Sequence, residues 1–204
     1  MTLVRIDELR RRELIRAAFS VIKREGLHYA TLAKIAEEAG ASKGLVHHYF
    51  RDKQQLIELT MRFVQAQKKG EVVKRLRAAR TPSERLWAVA SVVLNEEYLQ
   101  PGFCRAWVSF NTEAYSNTTL ARLQKAIHRR ERSNLAHALG PFLPRAEAAE
   151  TAIALKAMIE GFRFRVGVIS PTKFDPKAPS AQVLDFLKRR VPGFSRSQAL
   201  RGEA

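Results

Sequence analysis

The sequence predicts an all-α fold, with a small N-terminal helix-turn-helix domain of three helices, a larger C-terminal helical domain, and about nine helices in total. Apolar residues recur at helical spacing along the 204 residues, and no alternating run of apolar and polar residues is long enough for a strand. Capping residues, glycines and prolines divide this pattern into separate segments. We place the domain boundary between residues 1–53 and 54–204.

Three helices are predicted in the N-terminal domain. The first ends at Gly26, and one of its faces is apolar, carrying Leu14, Ile15, Ala18, Phe19 and Ile22. Thr31 caps a second, short helix, which Gly40 ends. Ser42 then caps a third helix over about residues 43–49.

The later helices are predicted from capping signals and breaks. Asp52 with Gln55 forms a capping-box pattern, and Thr81-Pro82-Ser83-Glu84 combines a cap, a first-turn proline and a glutamate at the third position. Further helices are predicted over about 82–99, 102–115, 117–139, 144–169 and 180–190. An irregular connection is marked by Pro171, Pro176 and Pro179, and the tail from Val191 is expected to fray.

The composition is that of a strongly basic protein with a single cysteine. Lys and Arg number 36 against 20 Asp and Glu, so the net charge is +16, and 46% of residues are hydrophobic, enough for a core. The single Cys104 excludes an intramolecular disulfide and a cysteine-rich zinc site. The first residues show no signal-peptide pattern, and no apolar stretch approaches the ~20 residues of a membrane span. We therefore expect a cytoplasmic protein that attracts nucleic acid, an anionic membrane surface or acidic partners, and the charge alone does not choose among them.

Residues 31–53 are the most informative stretch, because two short helices meet there at a tight turn. Gly40 permits the left-handed backbone that such a turn requires. The small side chains of Ala36 and Ala39 allow the second short helix to cross closely. This is the arrangement of a DNA-binding helix-turn-helix, whose second helix enters the major groove.

Candidate DNA contacts lie at the start of that second helix and around it. Ser42, Lys43 and Gly44 occupy a helix N-terminus, where free N–H groups and the positive end of the dipole attract phosphates. Leu45 is suited to contact a thymine methyl group. Phosphates can also be hydrogen-bonded by His47, His48, Tyr49, Thr31 and Lys53.

Other interpretations remain open from residue type and spacing. Helix-turn-helix geometry also occurs in proteins that never bind DNA, and a basic architectural protein would explain the charge but not residues 31–53. A metal site at His47-His48 is disfavoured, because adjacent helical residues point about 100° apart and no third ligand is near. The sequence has no glycine-rich phosphate loop, G-x-S-x-G elbow or His-Glu-x-x-His motif, and Cys104 is best explained as a buried, inert thiol. We therefore predict no catalytic residue, metal or cofactor.

Residues 13–60 contain short strings whose order and spacing match a known pattern with no insertion or deletion. They are Thr31-Leu32, Ile35-Ala36, Ala39-Gly40, Ser42-Lys43-Gly44, His48-Tyr49-Phe50, and Lys53 with Leu56. They resemble the DNA-binding domain of the TetR family of bacterial one-component repressors. The resemblance implies a homodimer of about nine helices per chain that binds a palindromic double-stranded operator and releases it when a small molecule binds. It assigns the family's DNA contacts to the candidate residues above other than Leu45, although position 47 is more often a tyrosine in the family.

Further strings lie outside that domain or extend its match: Arg10-Arg11-Arg12 with Leu14-Ile15, Arg51-Asp52-Lys53, Thr60-Met61-Arg62, Ala106-Trp107, Arg122-Leu123-Gln124, and Ser133-Asn134-Leu135. They are similar to the BetI-type branch of the family, choline-responsive repressors of glycine-betaine synthesis genes. This similarity implies choline or a related quaternary ammonium as effector. The alternative is a TetR-type regulator of another pathway with an unrelated effector.

Two predicted helices carry aromatic stripes, Trp87, Ser91, Leu94 and Tyr98 on one and Phe103, Trp107, Phe110 and Ala114 on the next. Such stripes are usually core, but they can also line a ligand pocket. A quaternary ammonium needs aromatic faces and a carboxylate. The candidates are Trp107, Phe110, Tyr98 and Tyr115 for the faces, and Glu96, Glu97 and Glu113 for the charge. The BetI-type branch tends to carry a second tryptophan where this chain has Asn111.

The resemblance also implies an isologous four-helix dimer interface, formed by the last two long helices of each chain. The first of these carries Ile153, Ala157, Glu160-Gly161, Phe164 and Val168, and the second carries Val183, Leu184 and Leu187. Small residues in this set permit close approach, and intramolecular packing is the alternative role for each.

Overall fold

A computed structural model describes the backbone of residues 3–169, 175 and 177–200, and the side chains from residue 6 onward. Every regular element in this part of the chain is helical, so the all-α prediction is confirmed. The helices are α1 (Leu3–Glu25), α2 (Leu32–Glu38), α3 (Lys43–Tyr49), α4 (Lys53–Ala78), α5 (Pro82–Ala90), α6 (Pro101–Ser116), α7 (Thr118–Leu139), α8 (Arg145–Phe164), α9 (Ala178–Arg190) and α10 (Arg196–Ala199). A 3₁₀ turn (Val92–Leu94) follows α5, and a π-helical turn (Arg165–Ile169) extends α8.

The turn between α2 and α3 forms as predicted from its glycine. Gly40 has φ of +59°, in the left-handed region. Its N–H donates to the carbonyl of Glu37 at 3.0 Å, and the N–H of Ala41 donates to that of Ala36 at 2.8 Å. These two bonds form a Schellman motif, which satisfies the last carbonyls of α2 and sets the direction in which α3 leaves.

Two apolar cores hold the described residues together. The first joins α1, α2 and α3 to α4 and α6, with Phe19 of α1 packing edge-to-face on Phe103 of α6 at 5.3 Å between ring centroids. The second lies among α5, α7, α8, α9 and the segment after α9. Because the first core spans both parts of the molecule, α6 packs directly on the N-terminal helices. No helix in the described ranges is long and apolar enough to cross a membrane.

One predicted helix boundary was wrong. The helix predicted over 82–99 ends at Ala90, and an asparagine-stabilised turn follows the 3₁₀ segment, with the Tyr98 N–H donating to Asn95 Oδ1 at 3.0 Å. The β-branched Val92-Val93 and the turn-forming Asn95 disfavour a continued helix.

The tail after α9 is ordered rather than frayed as far as residue 200. Val191 and Phe194 are buried, α10 packs against α5, and the Ser195 N–H donates to Ser83 Oγ at 3.0 Å. Its apolar residues cover the open end of the second core, which explains the order. Residues 201–204 and the predicted break at Pro171 and Pro176 lie outside the described residues.

Two glycines bring α6 into backbone contact with its neighbours. A Cβ atom on Gly102 would lie 2.8 Å from the carbonyl oxygen of Lys23 in α1. A Cβ atom on Gly167 would lie 2.9 Å from the amide nitrogen of Arg105 in α6. Both distances are too short for a real Cβ atom, so glycine is required at each position for α6 to sit where it does.

Candidate DNA interface and effector cavity

The second helix of the helix-turn-helix, α3, exposes one face and buries the other. Lys43, Gly44, His47 and His48 are exposed, while Val46 and Phe50 are buried in the first core, as predicted. Leu45 and Tyr49 are half-buried at the edges of the exposed face. The exposed face therefore presents donors and a bare stretch of backbone together, which suits a surface that meets phosphates and base edges.

Thr31 and Ser42 act as N-caps, as predicted. Thr31 Oγ1 accepts from the Lys34 N–H at 3.3 Å, and Ser42 Oγ accepts from the Leu45 N–H at 3.1 Å. A hydroxyl group that accepts one hydrogen bond still has a proton to donate. Both exposed side chains can therefore cap their helices and donate to a phosphate.

Tyr49 and Lys53 already make hydrogen bonds within the chain. The Tyr49 hydroxyl donates to Asp7 Oδ1 at 2.9 Å, and this bond raises the pKa of Tyr49. Lys53 Nζ donates to the carbonyl of His28 at 3.2 Å, and partial burial lowers the pKa of Lys53. These bonds fix α3 and the start of α4 against α1 and its following loop, so both side chains stabilise the geometry of the face.

One exposed aromatic residue beside the helix-turn-helix was not predicted from the sequence to contact DNA. Tyr29 lies in the loop between α1 and α2, two residues before Thr31, and is 64% exposed. Its isolated position in a loop gives no periodic signal, but a large exposed tyrosine beside a helix-turn-helix is a candidate phosphate contact.

A large cavity of about 930 Å³ lies among α4, α5, α7 and α8. This volume is at the upper end of the ~300–1,000 Å³ typical of small-molecule sites. Much of its wall is aliphatic, and its charged lining consists of seven basic and two acidic side chains: Arg62, Lys68, Lys69, Arg85, Arg130, Lys156, Arg163, Glu131 and Glu160. A smaller cavity of about 30 Å³ adjoins it and shares Lys68, Glu131 and Arg163 as lining residues.

Three of the seven predicted ligand residues reach a cavity. Tyr98, Trp107 and Phe110, which the aromatic stripes predicted to line a pocket, line the smaller cavity.

The other four, Tyr115, Glu96, Glu97 and Glu113, are exposed and line neither cavity, which corrects the expectation that they face the pocket. Tyr115 is 98% exposed, because five residues past Phe110 turn it about 140° around α6. Glu96 and Glu97 lie in the turn that follows the early end of α5.

Ionised side chains that sequence reasoning did not single out connect α4, α7 and α8 at the cavity. Glu131 pairs with Lys68 and, at 2.6 Å, with Lys156, and Lys156 also lies 2.7 Å from Glu160. Burial alone would raise the pKa of Glu131, but the two lysines outweigh it and lower that pKa to about 2. His128 lies 3.3 Å from Glu160. Both cavity carboxylates are therefore already paired with cations.

His128, Glu131 and Glu160 offer ligand atoms within 4.8 Å of one another, a spacing compatible with a metal ion. The lysine ammonium groups paired with both carboxylates compete directly with any such cation. We therefore assign no metal to this cluster.

Arg163, in the last turn of α8, is the most deeply buried cation at the cavity, at 5% exposed. Its guanidinium lies 4.5 Å from the ring centroid of Trp107 and 6.0 Å from that of Phe103. Its Nε has no hydrogen-bond partner among the described residues. Burial lowers the pKa of Arg163, but an arginine remains protonated.

The buried Arg163 charge is stabilised by the aromatic rings, by a hydrogen bond to Cys104, and electrostatically by Glu131 and Glu160, which do not lie in ion-pair contact with it. Contact with an aromatic face contributes about 2 kcal/mol when desolvated. Removing an ion from water costs several kcal/mol even after the surroundings relax. The aromatic contacts alone therefore do not offset the burial of this guanidinium.

Solved structures of other proteins share the fold. A transcriptional regulator from Saccharomonospora viridis, solved in complex with choline, is 22% identical, with a TM-score of 0.80 over 89% of this chain and 96% of that chain. A transcriptional regulator from Rhodococcus sp. Rha1 is 23% identical, with a TM-score of 0.75 over 88% and 96%. At these identities the likeness supports the fold alone.

The sequence relatives are more similar. The HTH-type transcriptional regulators BetI of Klebsiella pneumoniae (strain 342) and Escherichia coli (strain K12) are each 34% identical over 189 residues, 92% of this chain and 96% of theirs. Residues 14–60 match the family model of bacterial regulatory proteins of the tetR family. Residues 82–192 match that of the BetI-type transcriptional repressor C-terminal domain. The chain therefore belongs to the TetR family of transcriptional regulators, in its BetI-type branch.

Proposed function

We propose that the protein is a cytoplasmic dimeric repressor that binds a palindromic operator through α3 and releases it when a small molecule fills the α4–α5–α7–α8 cavity. The observation that carries this proposal is the exposed, capped α3, which presents Lys43, Gly44, His47 and His48 on one face. The cavity supports the second half, because it is large and lies in the part of the chain that matches the BetI-type C-terminal domain.

The exposed side of α8 supports the dimer. Ile153, Phe164 and Val168 are each about half exposed, at 52%, 45% and 51%. Ala157 and Gly161 lie exposed between them, and Gly161 has no neighbouring atom where a side chain would extend. This exposed apolar stripe, with small residues at its centre, suits the close approach of a second copy in an isologous interface. The predicted α9 residues Val183, Leu184 and Leu187 are instead buried within the chain.

Choline is the effector that the resemblance suggests, and the Saccharomonospora viridis regulator was solved with choline bound. In this chain Arg163 lies against Trp107, and both cavity carboxylates pair with lysines. Calorimetry with millimolar choline and betaine aldehyde tests this effector. Heat of binding would support it, and its absence would exclude choline while leaving the DNA-binding proposal intact.

Footprinting on the DNA upstream of the protein's own gene tests the repressor proposal. We expect a protected palindrome, together with a dimer mass in light scattering at micromolar concentration. Uniform, sequence-independent protection with a steep salt dependence would instead support a basic architectural protein. A monomer that protects no palindrome would overturn the proposal.

A further inference from the structure

The cavity is lined by a buried cation that has no ion-pair partner within 4 Å in the part of the chain that the structure describes. Arg163 is almost fully buried, lines both cavities, and takes part in none of the ion pairs found among the described residues. Its Nε has no hydrogen-bond partner there. A buried, unpartnered donor that bears a full charge and faces a cavity is complementary to an anion.

Most of the other charged side chains in the lining are also basic. The seven basic side chains of the large cavity face only two carboxylates, Glu131 and Glu160. Both carboxylates lie within ion-pair distance of Lys156, and Glu131 also pairs with Lys68. A quaternary ammonium entering here would meet repulsion from Arg163 and no available carboxylate.

The aliphatic part of the wall indicates what the anion carries. Val72, Leu76, Val89, Val93, Leu123 and Ile127 line the large cavity from α4, α5, the following 3₁₀ turn and α7. A volume of about 930 Å³ is far more than a bare inorganic anion, or choline, would fill. The lining therefore matches a molecule with an apolar body and one charged end.

We propose that the effector is an amphiphilic organic anion, a carboxylate or phosphate ester, whose charged group pairs with Arg163 and whose apolar body lies along the aliphatic wall. This inference rests on the proposed effector-released repressor and names the chemical class of its ligand. The guanidinium on Trp107 then occupies the position that a quaternary ammonium would take on an aromatic face.

A series of ligands with one ten-carbon tail tests the proposal on the full-length protein. Decanoate, decyl phosphate, 1-decanol and decyltrimethylammonium each have a chain of ten carbon atoms, counting the carboxyl carbon of decanoate, and differ in the head group. Choline provides the cation without the tail. Binding is measured by calorimetry and by tryptophan fluorescence, without DNA and below micelle-forming concentrations. We expect at least one of the two anions to bind tenfold more tightly than the alcohol and the cation. The preference between decanoate and decyl phosphate assigns the head group.

Variants locate the charged contact. Arg163→Gln is expected to lose at least tenfold in anion affinity and to bind 1-decanol unchanged. Arg145→Gln removes an equal charge from the exposed first turn of α8, outside both cavities, and is expected to bind as the unmodified protein does. Circular dichroism reports whether each variant folds. If Arg163→Gln does not, the head-group series on the unmodified protein decides the question alone.

The proposal would be overturned if choline or decyltrimethylammonium bound more tightly than either anion. It would also be overturned if the four ten-carbon ligands bound with equal affinity. The outcome is separate from that of the repressor proposal, because binding is measured without DNA. A protein that binds decanoate but protects no operator would retain the anion site and lose the repressor function. A protein that protects an operator but binds no anion would retain the repressor function and lose the anion site.

Discussion

Arg163 shows how one side chain can change the ligand chemistry of a pocket while the fold stays the same. Trp107 provides an aromatic face of the kind that suits a cationic ligand, but a guanidinium from the same chain lies 4.5 Å from that face. The aromatic stripe alone would therefore suggest a cationic ligand, whereas the guanidinium favours the anion that we propose. The pocket's electrostatics depend on Arg163, and the similarity to BetI does not determine them.

Glu131 is expected to stabilise the fold through its two lysine partners. Glu131→Gln leaves Lys68 and Lys156 without one carboxylate, and we expect the free energy of unfolding to fall by about 3 kcal/mol. This is the lower end of the range for a buried pair, because 28% of the Glu131 side chain remains exposed. Chemical denaturation measures the loss. Glu13→Gln, which breaks an exposed pair with Arg10, should change stability by less than about 0.5 kcal/mol.

The same substitution has a defined pH dependence. The pKa of Glu131 falls from 4.5 to about 2 on folding, so the folded protein binds this proton more weakly than the unfolded chain does. Its stabilising effect is therefore complete above pH 4.5 and is lost as the pH falls towards 2. The stability difference between the protein and Glu131→Gln should shrink over that window, and a difference independent of pH would contradict the assignment.

Lys43 and His48 are expected to contact the operator. Lys43→Ala should weaken binding about equally on all DNA sequences and reduce the salt slope by about 1, as for loss of one phosphate contact. His48→Ala should also weaken binding, by removing a phosphate hydrogen bond. Both side chains are exposed, so folding should be unaffected. Arg77→Ala removes an exposed charge at the end of α4 and serves as the control in anisotropy titrations. Unchanged affinity in both test variants would show that α3 is not the contact.

Some of these residues could be predicted from the sequence and others could not. Thr31 and Ser42 carry local signals, because a cap acts on a backbone amide three residues away. Trp107 and Phe110 follow helical periodicity along α6. Arg163 has no comparable signal. An arginine in the last turn of a helix ordinarily points to solvent, and its burial here depends on packing between helices that are distant in sequence.

The helices themselves were predictable where each boundary has a local chemical cause. Asp52, Thr81 and Asn117 each cap the helix that follows, and the capping box at Thr81 and Glu84 is complete. The early end of α5 and the ordered α10 were missed, because both depend on long-range packing rather than on a capping residue. The ion pairs among α4, α7 and α8 are likewise non-local.

Gly102 tests the packing of α6 on α1. Gly102→Ala forces a shift of one backbone against the other, so we expect a loss of about 1–3 kcal/mol in stability and a changed operator affinity. Gly70→Ala is the matched control, because no atom lies within 4 Å of the added methyl group in α4. That helical substitution should stabilise the protein by up to about 1 kcal/mol. Denaturation and anisotropy measure both, and an unaffected Gly102→Ala variant would show that the contact is dispensable.

Charge is spread over the whole molecule rather than concentrated at the proposed DNA interface. Residues 1–53 hold 11 of the 36 Lys and Arg and 7 of the 20 Asp and Glu, a net +4, which leaves +12 for residues 54–204. The two parts are almost equally basic per residue. The overall charge favours approach to DNA but does not indicate where the contact lies, whereas the geometry of residues 31–53 supports the contact that we propose there.

The proposed dimer makes its own prediction. Ala157→Arg places a charge in the middle of the exposed apolar stripe of α8, and we expect light scattering at micromolar concentration to report a monomer. Operator affinity should fall with it, since one chain then meets only one half-site. Ala78→Arg, at an equally exposed alanine ending α4, should remain dimeric. A dimeric Ala157→Arg variant would place the interface elsewhere.

In the proposed repressor, α6 recognises the effector and contacts its neighbours through different groups of residues. The face of α6 that carries Trp107 and Phe110 meets the cavity through side chains, whereas Gly102 meets α1 through backbone and Gly167 brings the π-helical turn onto the α6 backbone. Substitutions on the cavity face can therefore change which molecule is recognised without altering the surfaces that connect α6 to its neighbours. The effector of such a repressor could therefore change in evolution while the contacts of α6 with α1 and with the π-helical turn stay the same.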